Sequence, residues 1–152
     1  MTRPDDPSAE MLTGAALTVF RLNGLFLSVA EELAGPAGLT AARWQVLGAV
    51  INEPLPVSTI ARGLGSTRQS VQRIADVLVA QGSAEYRPNP AHARAKLLAP
   101  TEEGLAALRA IDPGRRRFAR TLVDELGEEG LAESLAHLRL LTEALERIES
   151  RG

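Results

Sequence analysis

The chain has 152 residues, 45% hydrophobic and 24% charged, with a formal net charge of −2. Those values predict one domain with a sizeable core and exclude wholesale disorder. There is no cysteine, which excludes disulfides, thiol-based redox sensing and Cys-ligated zinc. No continuous apolar run approaches membrane-span length and Met1–Ser8 lacks a signal-peptide core. A soluble, cytoplasmic protein with no membrane partner is therefore expected.

Met1–Pro7 is polar and proline-containing and reads as a disordered tail. From Ser8 to Leu33, Leu12, Ala15, Ala16, Val19, Leu22, Phe26, Val29 and Leu33 recur at helical spacing. Gly35-Pro36 ends that helix. Thr40 caps the next, which carries Trp44, Val46, Leu47, Val50 and Ile51 and stops before Pro54 and Pro56.

Residues 58–81 carry the most specific signal, a helix-turn-helix. Ser58 is positioned to cap a short helix ending at Leu64, and Gly65 supplies a left-handed turn. Ser66 followed three residues later by Gln69 has capping-box spacing and predicts the start of a longer helix. Ala61 is small where the two helices must cross. Ile60, Leu64, Val71, Ile74 and Leu78 fall on the faces that would pack.

With Val71 and Ile74 inward, about 100° per residue turns Gln69, Gln72, Arg73 and Asp76 outward. Glutamine pairs with adenine and arginine with guanine, so Gln69, Gln72 and Arg73 are the candidate base readers. Ser66, Thr67, Arg68 and Ser70 in the first turn, with Arg62 before them, suit phosphate. Asp76, three residues after Arg73, is placed to hold its guanidinium.

After Gln81-Gly82 the period changes. Ala84–Arg87 and Ala95–Ala99 read as two strands around a turn-rich tip, 88–94. This hairpin is a candidate wing along the DNA backbone or minor groove, with Arg87, His92, Arg94 and Lys96 as contacts. Arg94 and Lys96, two apart, would share a strand face. Thr101 caps a long helix whose apolar phase persists across Pro113-Gly114, which predicts a kink rather than a break. A last helix, 128–150, carries Leu131, Leu135, Leu138, Leu141, Leu145 and Ile148 in one stripe, as a helix packed on another would.

Charge is unevenly spread. Val57–Leu98 holds six basic residues and two acidic ones, while the remainder holds eleven basic and seventeen acidic. A basic middle between acidic ends suits a DNA-reading module held by other helices.

The succession of elements resembles the MarR family of bacterial transcription regulators. Gly38–Leu47 is similar to that family's segment entering the second helix. Ile60–Gly65 with Thr67–Arg73 is similar to its reading pair, and Leu97–Gly104 to its strand-to-helix junction. The resemblance implies a mainly α fold with a small β-hairpin, a winged helix-turn-helix with long terminal dimerisation helices. Residues 1–7 would be a tail and 8–152 one domain, with 8–37 and 101–152 dimerising and 38–100 binding DNA. It further implies a homodimer on double-stranded DNA of pseudo-palindromic sequence, a repressor, released by a small aromatic effector. Phe20, Asn23 and Arg43, with Trp44 nearby, are the candidate effector contacts. The family's wing tip usually carries aspartate then arginine. Here His92-Ala93 stand in those places and Arg94 follows, so either Arg94 takes the tip role or minor-groove contact is weaker. Ser83-Ala84 stand where larger apolar residues are usual, which predicts a more mobile hairpin.

Two rival classes are weighed. An enzyme would need converging titratable groups. With two histidines, one tyrosine and no recognisable catalytic spacing, neither enzyme nor metal site nor cofactor is expected. A winged-helix protein-interaction module would leave the basic segment and Gln69/Arg73 unexplained. Its binding would be insensitive to salt.

Overall fold

The structure, a computed structural model, describes residues 6–152. The expected tail lies outside the described residues except at its end, where the first helix already begins. Asp6 accepts from the Ser8 amide at 3.0 Å, and Pro7 opens helix α1 (Pro7–Ala34) at a position whose missing N–H costs nothing. A 3₁₀ turn, Gly35–Ala37, follows and ends at Gly38 with φ 76°.

Helix α2 (Ala41–Ala49) is capped by Thr40, whose hydroxyl accepts from the Arg43 amide at 3.2 Å. Glu31 on α1 reaches across and takes the Ala41 amide at 3.0 Å, satisfying a second orphan donor of α2. Val50 only caps this helix and Ile51 lies beyond it, half exposed, so the helix is shorter than its apolar residues suggest.

Next come a two-residue strand β1 (Leu55–Pro56), helix α3 (Val57–Leu64), helix α4 (Arg68–Ala80), and strands β2 (Ala84–Arg87) and β3 (Leu97–Pro100). The sheet is antiparallel in the order β1-β3-β2, with Leu55 opposite Leu98 and Tyr86 opposite Leu98 on the other side. The expected two-stranded wing thus gains a third strand at its root.

That third strand moves the start of α3. Pro56, extended and paired with Leu97, is the N-cap, so Ser58 sits inside the first turn rather than capping it. At the other end Gly65 is left-handed at φ 61°. Its amide donates to Arg62 O and the Ser66 amide to Ala61 O, a Schellman closure. Ser66 therefore ends α3, and Thr67 caps α4 by accepting from the Ser70 amide at 3.1 Å. Nothing lies within 4 Å of a Cβ added at Gly65, so Gly65→Ala meets only the backbone penalty. It should cost about 1–2 kcal/mol in a denaturant titration.

The core lies beneath this pair. Ile60, Ala61, Val71, Ala75 and Leu78 are buried together with Leu47 of α2 and Leu98 of β3. Ile74 is only half-buried and Leu64 is exposed, so the inward line of α4 runs Val71–Ala75–Leu78. Thr101 closes the module. Its hydroxyl donates to Gly82 O at 2.6 Å and accepts from the Gly104 amide at 3.2 Å, and its own amide donates to Ser83 O. The start of helix α5 (Glu102–Glu149) is thereby pressed onto the turn before β2. A Cβ at Gly104 would overlap the Ser83 carbonyl oxygen, so α5 and the turn before β2 approach closely at Gly104. Ala84 is buried.

The chain divides into two compact units, one ending at Ile111 and one running Asp112–Gly152. Helix α5 runs through Pro113 and is interrupted at Gly127, which has φ 74° and ψ 158°. The helix passes the proline without a break, as expected, but the kink lies at Gly127 instead of Pro113, immediately before the expected last helix from residue 128. In the second unit Asp112 accepts from Arg115 and pairs with Arg116. The Arg115 hydrogen bond leads in holding the Asp112 carboxyl below the ordinary carboxylate range.

Large apolar side chains stand exposed on α1, among them Leu12, Leu17, Phe20, Leu25 and Phe26. In the second unit Leu135, Leu141, Leu145 and Ile148 do the same. The segment Pro7–Ala37 is long and apolar enough to cross a membrane by length and composition alone. This corrects the expectation that nothing approached that length. No single run of large apolar residues shows it, because alanine, glycine and threonine fill the gaps and Arg21 is the one charge between Met11 and Ala30.

Candidate nucleic-acid interface

Helix α4 presents its polar face as expected. Gln69, Arg73 and Asp76 are exposed, as are Ser66, Thr67 and Arg68 at its start and Arg62 on α3. Arg68, Gln69, Gln72, Arg73 and Asp76 line one open groove along the helix. Ser70 is half-buried, with its amide spent on the Thr67 cap.

The partner expected for Arg73 is engaged elsewhere. Asp76 accepts from the Tyr86 hydroxyl at 2.6 Å and from Gln72 Nε2 at 3.0 Å, and Gln72 Nε2 also lies 2.9 Å from the Tyr86 hydroxyl. The Tyr86 and Gln72 hydrogen bonds hold the Asp76 carboxyl below its usual range. Desolvation first, then the hydrogen bond and charge of Asp76, push the Tyr86 hydroxyl up to about 12. At neutral pH the triangle is therefore a neutral phenol donating to an ionised carboxylate. Among the described residues Arg68, Arg73, Arg94 and Lys96 make no ion pair, which leaves these cations for an external anion.

The wing differs from the expectation in one respect. Strand β3 starts at Leu97, so Arg94 and Lys96 lie in the loop and share no strand face. Asn89 is the reason. Its Nδ2 donates to Ala95 O at 2.9 Å and its Oδ1 accepts from the Ala91 amide at 3.1 Å. Residue 95 thus spends its acceptor inside the loop instead of on the ladder. The loop folds back, and Arg94 and Lys96 join Arg68, Gln72, Tyr86 and Ser58 around a cleft of about 250 Å³. Arg87 is instead paired with Glu85 at 2.8 Å, and His92 stands exposed at the tip. Sequence reasoning missed Tyr86 and Ser58. The available signal for Tyr86 was its place as the only aromatic residue of β2.

The candidate effector residues lie apart from this interface. Trp44 packs against the core, and Arg43 is half-buried beside it on α2. Asn23 is exposed on α1, where Phe20 is 70% exposed.

The profile of the MarR family matches residues 37–95, from the entry to α2 to the wing loop. Residues 37–95 are a MarR-family segment. An uncharacterized protein of Mycobacterium tuberculosis is 41% identical over 127 residues, which cover 84% of this chain and 89% of that one. A MarR family transcriptional regulator from Streptomyces coelicolor is 26% identical and superposes with a TM-score of 0.75, covering 89% of this chain and 95% of its own. A mutant MarR from E. coli complexed with operator DNA has the same fold at 22% identity and a TM-score of 0.75, covering 90% and 99%. The chain is thus mostly helical with a small antiparallel sheet, a winged helix-turn-helix of the fold seen in MarR family regulators.

Proposed function

We propose that this chain is a cytoplasmic transcription repressor that reads a pseudo-palindromic stretch of double-stranded DNA as a homodimer. The observation that carries the reading is the outward face of α4. Gln69, Gln72 and Arg73 line an open groove, and Arg68, Arg94 and Lys96, which make no ion pair among the described residues, stand beside them. Gln69 and Arg73, with Gln72, read base edges. Ser66, Thr67, Arg68, Ser70 and Arg62 position the helix on phosphates, and Arg94 and Lys96 do the same from the wing loop, with His92 and Arg87 at its margin. A protein of the same fold, a mutant E. coli MarR, is complexed with operator DNA, which supports DNA as the partner. A dimer seated across an operator excludes other proteins from that DNA, and repression is the simplest result. The proposal needs no cofactor and assigns no catalytic residue.

The exposed apolar residues of α1 and of the second unit support self-association, because a face of that size in water favours a partner. A two-fold dimer would set two recognition helices about 34 Å apart. Sedimentation at micromolar concentration should show a dimer, and its affinity for DNA should fall steeply with salt. A folded monomer with full specific affinity, or an isotherm indifferent to salt, would contradict the proposal. The second outcome would favour a protein-interaction module.

Without cysteine, release from DNA falls to a ligand that prefers one spacing of the reading heads. A small aromatic acid between Phe20, Asn23, Arg43 and Trp44 would serve. Phe20 is 70% exposed, so in this proposal the second subunit would supply a wall of that site. Calorimetry of such acids should show tighter binding to the free dimer than to its DNA complex.

A further inference from the structure

Gln72 differs from the other outward residues of α4 because its carboxamide is held. Its Nε2 lies 3.0 Å from Asp76 Oδ1 and 2.9 Å from the Tyr86 hydroxyl, and those two oxygens are themselves 2.6 Å apart. Two oxygens so close subtend a narrow angle at the nitrogen, so one N–H points between them. The carbonyl oxygen and the second N–H remain for an outside partner. The opposite orientation of the amide is barred. It would place Oε1 against the Asp76 carboxylate, which has no proton to give, and against a hydroxyl whose hydrogen is already donated to that carboxylate. Tyr86 reaches α4 from β2, so the strand that begins the wing sets the state of a side chain on the recognition helix.

We infer that Tyr86 and Asp76 clamp the Gln72 carboxamide so that it reads a base bearing an exocyclic amine, adenine or cytosine, which makes Tyr86 a positioning residue for sequence recognition. The inference rests on the proposal that α4 reads bases. A free glutamine turns its amide to suit either a donor or an acceptor. A clamped one keeps its carbonyl outward, and in the major groove only adenine N6 and cytosine N4 donate to it. Guanine offers N7 and O6 and thymine offers O4, all acceptors, which can take the spare N–H but leave the carbonyl without a donor. Adenine also accepts the spare N–H at N7.

The test measures competition among duplexes that carry each of the four bases at each half-site position. The wild-type protein should show one position where adenine or cytosine outbinds guanine or thymine by about tenfold. Gln72→Ala should flatten that position. Tyr86→Phe keeps the ring in place but removes the hydroxyl, and should cut the ratio there to about threefold or less. The preference at the position read by Arg73 should survive. A Gln72-dependent position that favours guanine or thymine, or one whose ratio Tyr86→Phe leaves untouched, overturns the clamp while leaving DNA reading intact. A wild-type protein that binds all duplexes alike overturns the parent proposal as well.

A second measurement needs no DNA. Tyr86 is the only tyrosine, so alkaline absorbance reports it alone. Its ionisation should be pushed up to about 12, and Asp76→Asn should bring it down. A wild-type midpoint at the ordinary value of about 10 would overturn the clamp.

Discussion

Gly104→Ala is expected to destabilise the protein by roughly 3 kcal/mol, a fall in melting temperature of about 10 °C. The added methyl would overlap the Ser83 carbonyl oxygen and stand 3.4 Å from a Leu47 methyl. Backbone cannot yield there as a side-chain tip would, because Ser83 O holds the Thr101 amide and Gly82 O holds the Thr101 hydroxyl. Relief requires the start of α5 to lift from the turn that leads into β2, so the wing should loosen as stability falls. Gly63 provides the control. It lies inside α3 with nothing within 4 Å of an added methyl, so Gly63→Ala should stabilise slightly, by about 0.5–1 kcal/mol. Equal melting temperatures for the two variants would refute the close approach.

The largest expected effect on function is at Arg73. It is exposed on the groove face of α4 and has no ion-pair partner among the described residues. Truncating an arginine that reads a guanine costs about 1–3 kcal/mol per half-site. A dimer on two half-sites should therefore lose about 2–6 kcal/mol with Arg73→Ala, and base preference should relax at one position of each half-site. Arg94→Ala should behave differently. Arg94 lies in the wing loop beside Arg68 and Lys96, where it would meet phosphate. Its loss should weaken all sequences alike and lower the slope of log affinity against log salt by roughly one per arginine removed. Fluorescence anisotropy over a salt series separates the two behaviours. An Arg73→Ala variant that loses affinity equally for every sequence would remove the base-reading role.

The legible parts of this chain are those written in neighbouring residues. Thr40 and Thr101 as caps, Gly65 as a left-handed turn and β2 at Ala84–Arg87 all follow from local chemistry. Errors of one or two residues arise where a distant partner decides. Ser58 yields its capping place because Pro56 pairs with Leu97, 41 positions away in the chain. Ser66 yields to Thr67 for a local reason, because its amide closes α3 on Ala61, five residues back. Strand β1 has two residues, one of them proline, and no period could reveal it. In the candidate interface, the outward set Gln69, Gln72 and Arg73 follows from helical phase alone. The link from Asp76 to Tyr86 rather than to Arg73 does not, since it depends on how β2 crosses α4. Arg94 and Lys96 leave the strand because a single asparagine, Asn89, captures the loop backbone.

If this protein reads a specific duplex as a two-fold dimer, selection from a random pool of duplex DNA should enrich one pseudo-palindrome whose half-sites lie about one helical turn, ~34 Å, apart. One position in each half-site should depend on Arg73 and another on Gln72. Bound DNA with no shared sequence, or a shared sequence without two-fold symmetry, would contradict that reading.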